Sequence, residues 1–152
     1  MAQFQPCLAF TIEREGGFSN ASSDPGGATK FGITRATLSR WIKRPASVAD
    51  VQNLTETVAG QIYHDWYWLT IDGDALPDGV SVMVFDHGVN CGEHTAAVQL
   101  QEVIGITGDD LDGQIGSETL AILASREAKY VIESLAITQE AYYRSRPSPA
   151  LS

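Results

Sequence analysis

The stretch Glu13–Thr34, EREGGFSNASSDPGGATKFGIT, decides how the rest of the chain is read. It closes an apolar helical stripe on a carboxylate and breaks at Gly16-Gly17. It then turns through Asp24-Pro25-Gly26-Gly27 towards Thr29. Upstream, Phe4, Cys7, Leu8, Thr11 and Ile12 recur at helical spacing, which predicts a helix from about Gln3 to Glu15 with Gly16 as its stop. On that helix Glu15 shares the face of Phe4, Leu8 and Ile12, while Glu13 and Arg14 point elsewhere. A carboxyl there is half desolvated at the negative end of a helix dipole, and both influences disfavour its charged form. That is the setting a general acid requires near neutral pH.

Asp24 reads in the opposite way. It precedes Pro25 in a turn whose backbone N–H groups, with solvent, stabilise an anion. Two carboxyl groups in such contrasting environments are the acid and base of a glycosidase. Thr29, five residues on, adds a hydroxyl that can hold a water beside Asp24. Spacing alone leaves a structural alternative open. Glu15 would then be a helix-end residue paired to a basic neighbour, and Asp-Pro-Gly-Gly an ordinary turn.

Working outward, Phe18–Ile33 reads as short extended pieces forming a small hairpin with Asp-Pro-Gly-Gly at its bend. Helices follow over Arg35–Ile42, capped by Thr34, and from Thr55 to about Trp66. After Pro77-Asp78-Gly79 the run VSVMVFDHGVN is apolar nearly all round and predicts a buried central helix. Gly92 separates it from HTAAVQLQEVIG. The Asp112-Gly113 turn leads into SETLAILAS, capped by Ser117, and a last helix spans about Arg126–Arg144. The tail RSRPSPALS predicts fraying.

At 152 residues the chain fits one domain with its own core. No run approaches the roughly 18 apolar residues of a membrane span. The N-terminus lacks a basic n-region and carries Pro6 in its short apolar part, so no secretory signal is read. Synthesis and accumulation in the cytoplasm are expected, with another route needed for work outside. Cys7 and Cys91 are too few for a disulfide framework and read as buried thiols. The net charge of −9 is uneven. Residues 1–44 hold six Lys/Arg against three acids, whereas Pro45–Ser125 carries acids and no Lys or Arg. Such an acid-only segment argues against nucleic acid, and an anionic ligand would meet the basic first third.

Three other constellations compete for chemistry. His87, Cys91 and His94 fall at i, i+4 and i+7, a zinc-capable spacing on one helix. Gly92 ends that helix, however, so a packed His and Cys at a corner is favoured over a metal. GDDLDGQIGSE fails as a calcium loop, because Gly108 and Thr119 stand where the first Asp and the bidentate Glu belong. Tyr63, Trp66, Tyr67 and Trp68 form an aromatic cluster that is either core or a surface for sugar rings. Asp86 and Asn90, one helical turn apart, either bond adjacent loops or line a cleft floor.

The run EGGFSNASSDPGGATKFGIT closely resembles the signature of the family 108 glycoside hydrolases, lysozyme-like N-acetylmuramidases of phages, prophages and bacterial secretion loci. Their pattern is met at Glu15, Gly16, Gly17, Asp24, Pro25, Gly26, Gly27, Thr29, Gly32, Ile33 and Thr34. YHDWYW, LPDG and FDHGVNCG follow in the family's order, and LQEVIGITGDDLDGQIGSETLAIL resembles its peptidoglycan-binding helical segment. One departure is Asp86-His87-Gly88, where relatives more often carry small apolar residues after the Asp.

The resemblance implies a lysozyme-like α+β fold, predominantly α-helical, with a small catalytic hairpin packed against a helical lobe. Residues 1–145 would form one domain, comprising a catalytic part (1–70) and a helical peptidoglycan-binding-like part (71–145), with 146–152 a disordered tail. Glu15 would be the catalytic acid, with Asp24 and Thr29 its partners, and Tyr67, Asp86 and Asn90 would bind substrate. The activity expected is an endolysin-type muramidase on bacterial peptidoglycan. It would be a monomer without cofactor, metal or stable membrane insertion, reaching the periplasm through a holin-like or other export partner. A wall-binding or secretion-assisting protein without turnover, and a zinc amidase or peptidase, are the rival readings.

Overall fold

The computed structural model describes residues 4–20 and 27–145. It is of the α+β class and mostly helical, with one two-stranded antiparallel sheet among the described residues. The chain divides into two compact units, Gln5–Trp66 and Tyr67 onward, the latter including Phe4.

In the first unit, α1 (Phe4–Glu15) buries Cys7, Leu8 and Thr11. It stops where Gly16 takes φ +78°, a conformation that costs glycine little, and the Gly16 amide closes the last turn on Ile12. Strands β1 (Thr29–Lys30) and β2 (Ile33–Thr34) pair in the register Thr29↔Thr34 and Lys30↔Ile33. Between them Phe31 and Gly32 both have positive φ, as the tightest hairpin turn demands. A further bridge joins Ser19 to Thr29 through two 2.8 Å hydrogen bonds. The turn at Phe31-Gly32 is not one that the sequence announces. The expected bend at Asp24–Gly26 lies outside the described residues.

Thr34 caps α2 (Arg35–Ile42) as expected, its hydroxyl accepting from the Thr37 amide at 3.1 Å. A short α3 (Val48–Gln52) was not anticipated. It is nucleated by a reciprocal box in which Ser47 and Asp50 cap each other's backbone. Arg44 grips the Asp50 carboxylate at 2.9 Å and holds it well below the usual range, at about 2. Helix α4 (Glu56–Tyr63), capped by Thr55, buries Ala59, Gly60, Ile62 and Tyr63. It widens into a π turn at His64–Trp68.

The second unit is centred on α5 (Val80–Cys91), which packs on α6 (Glu93–Val103) and α8 (Ala128–Arg144). Helix α5 is the buried helix expected from its all-round apolarity, with Val80, Val84, Phe85 and His87 at most 1% exposed. Trp68 is fully buried against the Phe4 and Phe85 rings, at centroid distances of 5.4 and 5.6 Å. Its Nε1 donates to Asp74 at 3.0 Å, and its indole lies where any side chain on Gly73 would stand.

Helix α7 (Ser117–Ala124) corrects one expectation: its cap position is Gly116, without a side-chain bond, and Ser117 is already helical. The last helix begins at Ala128 rather than Arg126, whose guanidinium instead donates to the Ile104 carbonyl. Between α6 and α7, one buried side chain organises an acidic loop. Gln101 Nε2 donates to Asp112, to the Gln114 carbonyl and to the Thr119 hydroxyl, and its Oε1 accepts from the Gly113 amide. A neutral carboxamide thus occupies the middle of the segment tested above as a calcium loop. Among the described residues no helix is long and apolar enough to cross a membrane.

Candidate active site

Glu15 is the final residue of α1, and its side chain keeps 26% of its exposure. Its surroundings differ from the apolar setting that helical spacing predicts. The Arg14 guanidinium swings round the helix end to donate to Oε1 at 2.6 Å. Helical spacing fixes the directions of Cα–Cβ bonds, whereas a long arginine side chain at a helix terminus can reach across them. Both readings of the sequence thus meet at this residue: a carboxyl at the helix end, and a basic neighbour paired to it.

Beneath Glu15 lies the hairpin turn. The Phe31 amide donates to the carbonyl of Gly16 at 3.0 Å, tying the turn to the peptide next to Glu15. A Cβ built on Gly32 would stand 2.9 Å from Cγ of Glu15, so only glycine lets the glutamate stem lie on the turn. Thr29 is two residues before this tie. Its backbone is fixed on both sides, to Ser19 by two hydrogen bonds and to Thr34 by the hairpin ladder. Glu15 and Thr29 are therefore brought to one hairpin at the end of α1. Asp24 lies outside the described residues.

The neighbouring strand is anchored as well. Lys30 Nζ donates to the Gln52 carbonyl at 2.8 Å and lies 5.3 Å from the Phe31 ring centroid. Further along the same unit, Trp41 and Trp66 meet edge to face at 5.2 Å, with the Arg40 guanidinium 5.1 Å from the Trp66 ring centroid. The aromatic cluster of the sequence is thus divided in role. Tyr63 and Trp68 are core, and Trp66 and Tyr67 are half-buried.

Tyr67, Asp86 and Asn90 belong to the second unit. The Tyr67 carbonyl accepts from the Thr70 hydroxyl at 2.8 Å. Asn90 is exposed and donates to the Asp86 carbonyl one turn earlier at 3.1 Å, while Asp86 is half-buried. His87 is buried, with Nδ1 3.0 Å from the Tyr143 hydroxyl and 3.7 Å from Cys91 Sγ, and the Tyr142 and Tyr143 rings pack edge-on to it. Burial pushes its pKa down, against a smaller opposing effect of the Gln99 side chain. Burial and the Cys91 thiol push the Tyr143 hydroxyl up to about 12. His94 is on α6, exposed, with its ring over Gly113. Among the described residues no three His, Cys, Asp or Glu side chains are grouped to hold a metal ion.

Sequence reasoning missed the part played by Tyr63, whose hydroxyl donates to the Phe31 carbonyl at 2.6 Å. The available signal was a tyrosine rather than a phenylalanine at a core position of α4, since a buried phenol needs a partner.

The glycosyl hydrolase 108 family matches residues 8–92, more than half of the chain. No curated protein matches. Among solved structures, that of SagA from Brucella abortus is similar at 38% identity with a TM-score of 0.84. The match covers 94% of this chain and 80% of that one. The family match takes in α1 from Leu8 onward, the β1–β2 hairpin and α5, the elements that carry Glu15, Thr29, Asp86 and Asn90. The chain belongs to glycosyl hydrolase family 108 and is a glycoside hydrolase.

Proposed function

We propose that the protein is an N-acetylmuramidase that cleaves the β-1,4 bond between N-acetylmuramic acid and N-acetylglucosamine in bacterial peptidoglycan. The observation that carries this reading is the seat of Glu15: a partly exposed carboxyl at the end of α1, resting on Gly32 and adjoining the Thr29 strand. In the proposed reaction Glu15 protonates the leaving O4 oxygen, and Arg14, engaged on Oε1, leaves Oε2 to carry that proton. Asp24, nine residues on in the sequence, stabilises the oxocarbenium-like transition state and activates or positions water with the Thr29 hydroxyl. Tyr67, Asp86 and Asn90 contact the glycan. The basic first third of the chain attracts the anionic wall polymer. Residues 1–145 act as a single domain, working as a monomer and without a cofactor. The protein is made in the cytoplasm and acts in the periplasm as an endolysin, through a holin-like or other export partner.

The test is digestion of purified sacculi followed by mass spectrometry of the products. Fragments ending in reducing N-acetylmuramic acid, with peptide stems attached, are expected. Reducing N-acetylglucosamine would make the enzyme a glucosaminidase, and free stem peptides would make it an amidase or peptidase.

A further inference from the structure

The Phe31 peptide is held from both sides. Its amide donates to the Gly16 carbonyl at 3.0 Å, and its carbonyl accepts from the Tyr63 hydroxyl at 2.6 Å. Tyr63 closes α4 and is 1% exposed. The next residue, Gly32, is hemmed in by both side chains: its absent Cβ would meet Tyr63 Oη at 2.5 Å and Glu15 Cγ and Cβ at 2.9 and 3.1 Å. The Glu15 stem and the Tyr63 phenol therefore press on the same face of one glycine, in a turn whose two residues both have positive φ.

We propose that Tyr63 is a positioning residue for Glu15: its hydroxyl fixes the Phe31–Gly32 turn on which the glutamate stem rests, and so sets where the carboxyl stands. This rests on the reading of Glu15 as the general acid. Packing alone does not call for the hydroxyl, since phenylalanine would fill the same core volume. What the hydroxyl adds is a bond to a carbonyl beside the acid. Proton transfer is sensitive to such support, because a displacement of about 1 Å at a reacting group can cost on the order of 10²-fold in rate. Tyr63 touches no reacting atom in this account and acts only through the turn.

The experiment compares wild type, Tyr63→Phe and Glu15→Gln on two substrates. One is soluble peptidoglycan, whose sugar leaving group needs a proton. The other is a dinitrophenyl β-glycoside of an N-acetylmuramic acid oligosaccharide, whose leaving group does not. Tyr63→Phe is expected to fold, to keep KM within about twofold, and to lose about 10- to 100-fold in kcat on peptidoglycan. On the aryl glycoside its loss should be no more than about threefold. Gly32→Ala, whose methyl would stand against both the Tyr63 hydroxyl and the Glu15 stem, should show the same leaving-group dependence, and a Tyr63→Phe that does not fold would overturn the proposal in favour of a purely structural hydroxyl. Unchanged kcat on peptidoglycan, equal losses on both substrates, or a loss carried by KM would each overturn the proposal. Should wild type not turn over the aryl glycoside, the kcat-against-KM split on peptidoglycan decides. An active Glu15→Gln would sink the muramidase reading itself, whereas an inactive one beside an unimpaired Tyr63→Phe sinks only the positioning role.

Discussion

Arg14 and Glu15, consecutive at the end of α1, are joined by a 2.6 Å bond from guanidinium to carboxylate, with side chains 36% and 26% exposed. A pair so open to solvent contributes about 0–1 kcal/mol. Glu15→Gln should therefore leave the thermal midpoint nearly unchanged. The amide has no proton to give, and activity should fall by about 10²–10⁴-fold or more. Circular dichroism and glycan release, measured on the same preparation, check both parts. Activity retained by a folded variant would remove Glu15 from the chemistry.

Thr29 offers a cleaner separation of structure from chemistry. Its backbone bonds to Ser19 and its pairing with Thr34 survive any side-chain change. Thr29→Ser should be mild because the hydroxyl remains. Thr29→Ala should be intermediate, less damaging than Asp24→Asn. Steady-state rates on soluble peptidoglycan decide, and an Ala variant equal to wild type would leave Thr29 as a hairpin residue only.

Gln101 should be the costliest of these residues for folding. Gln101→Leu removes four hydrogen bonds in a 1% exposed position and strands the Gly113 amide. An unsatisfied buried group costs about 1–3 kcal/mol, so a loss of at least that size is expected in urea unfolding. Faster proteolysis between Gly108 and Ser117 should accompany it. A change below about 0.5 kcal/mol would show that the loop holds itself.

Burial holds the folded His87 below the ordinary histidine value near 6.5, so the unfolded chain takes up this proton first as the pH falls. The contribution is complete above about pH 6.5 and is lost as the pH drops through the depressed folded value. The melting temperature of wild type should consequently fall further between pH 7 and 5 than that of His87→Gln. Parallel curves for the two proteins would contradict this.

If work outside the cytoplasm depends on a holin-like or other export partner, as proposed, the protein expressed in a Gram-negative host should be nearly harmless until the inner membrane is permeabilised, and lysis should then be prompt. Optical density before and after chemical permeabilisation measures this. Spontaneous lysis would point to an export signal within the N-terminal helix.

The order of elements was legible because periodicity and stop signals act locally. Gly16 ends α1, Thr34 caps α2, and the run Val80–Asn90, apolar nearly all round, forms the buried helix it promised. The candidate site could be named in the sequence by residue type, whereas the surroundings of those residues could not. The turn at Phe31 was hidden because bulky residues seldom take positive φ, and here the Tyr63 and Gly16 bonds hold the conformation. The Arg14 contact was legible only as an open alternative, a basic neighbour paired to Glu15, because flexible cations at helix ends choose partners by reach. Helix α3 was missed because a five-residue helix held by its capping box has too few turns to display a period.

The boundary between the two units falls between Trp66 and Tyr67, and this separates the chain's three indoles. Trp41 and Trp66 lie on one side, half-buried and beside a guanidinium, while Trp68 lies on the other, sealed in an aromatic core. Each unit thus carries its own intrinsic fluorophore, the sealed one emitting at the shorter wavelength. In Trp68→Phe the remaining emission follows only the unit that bears Glu15, and in a Trp41→Phe, Trp66→Phe double variant it follows only the other. Melting curves recorded on the two proteins then report, without any added label, whether the halves of this enzyme come apart together or in sequence.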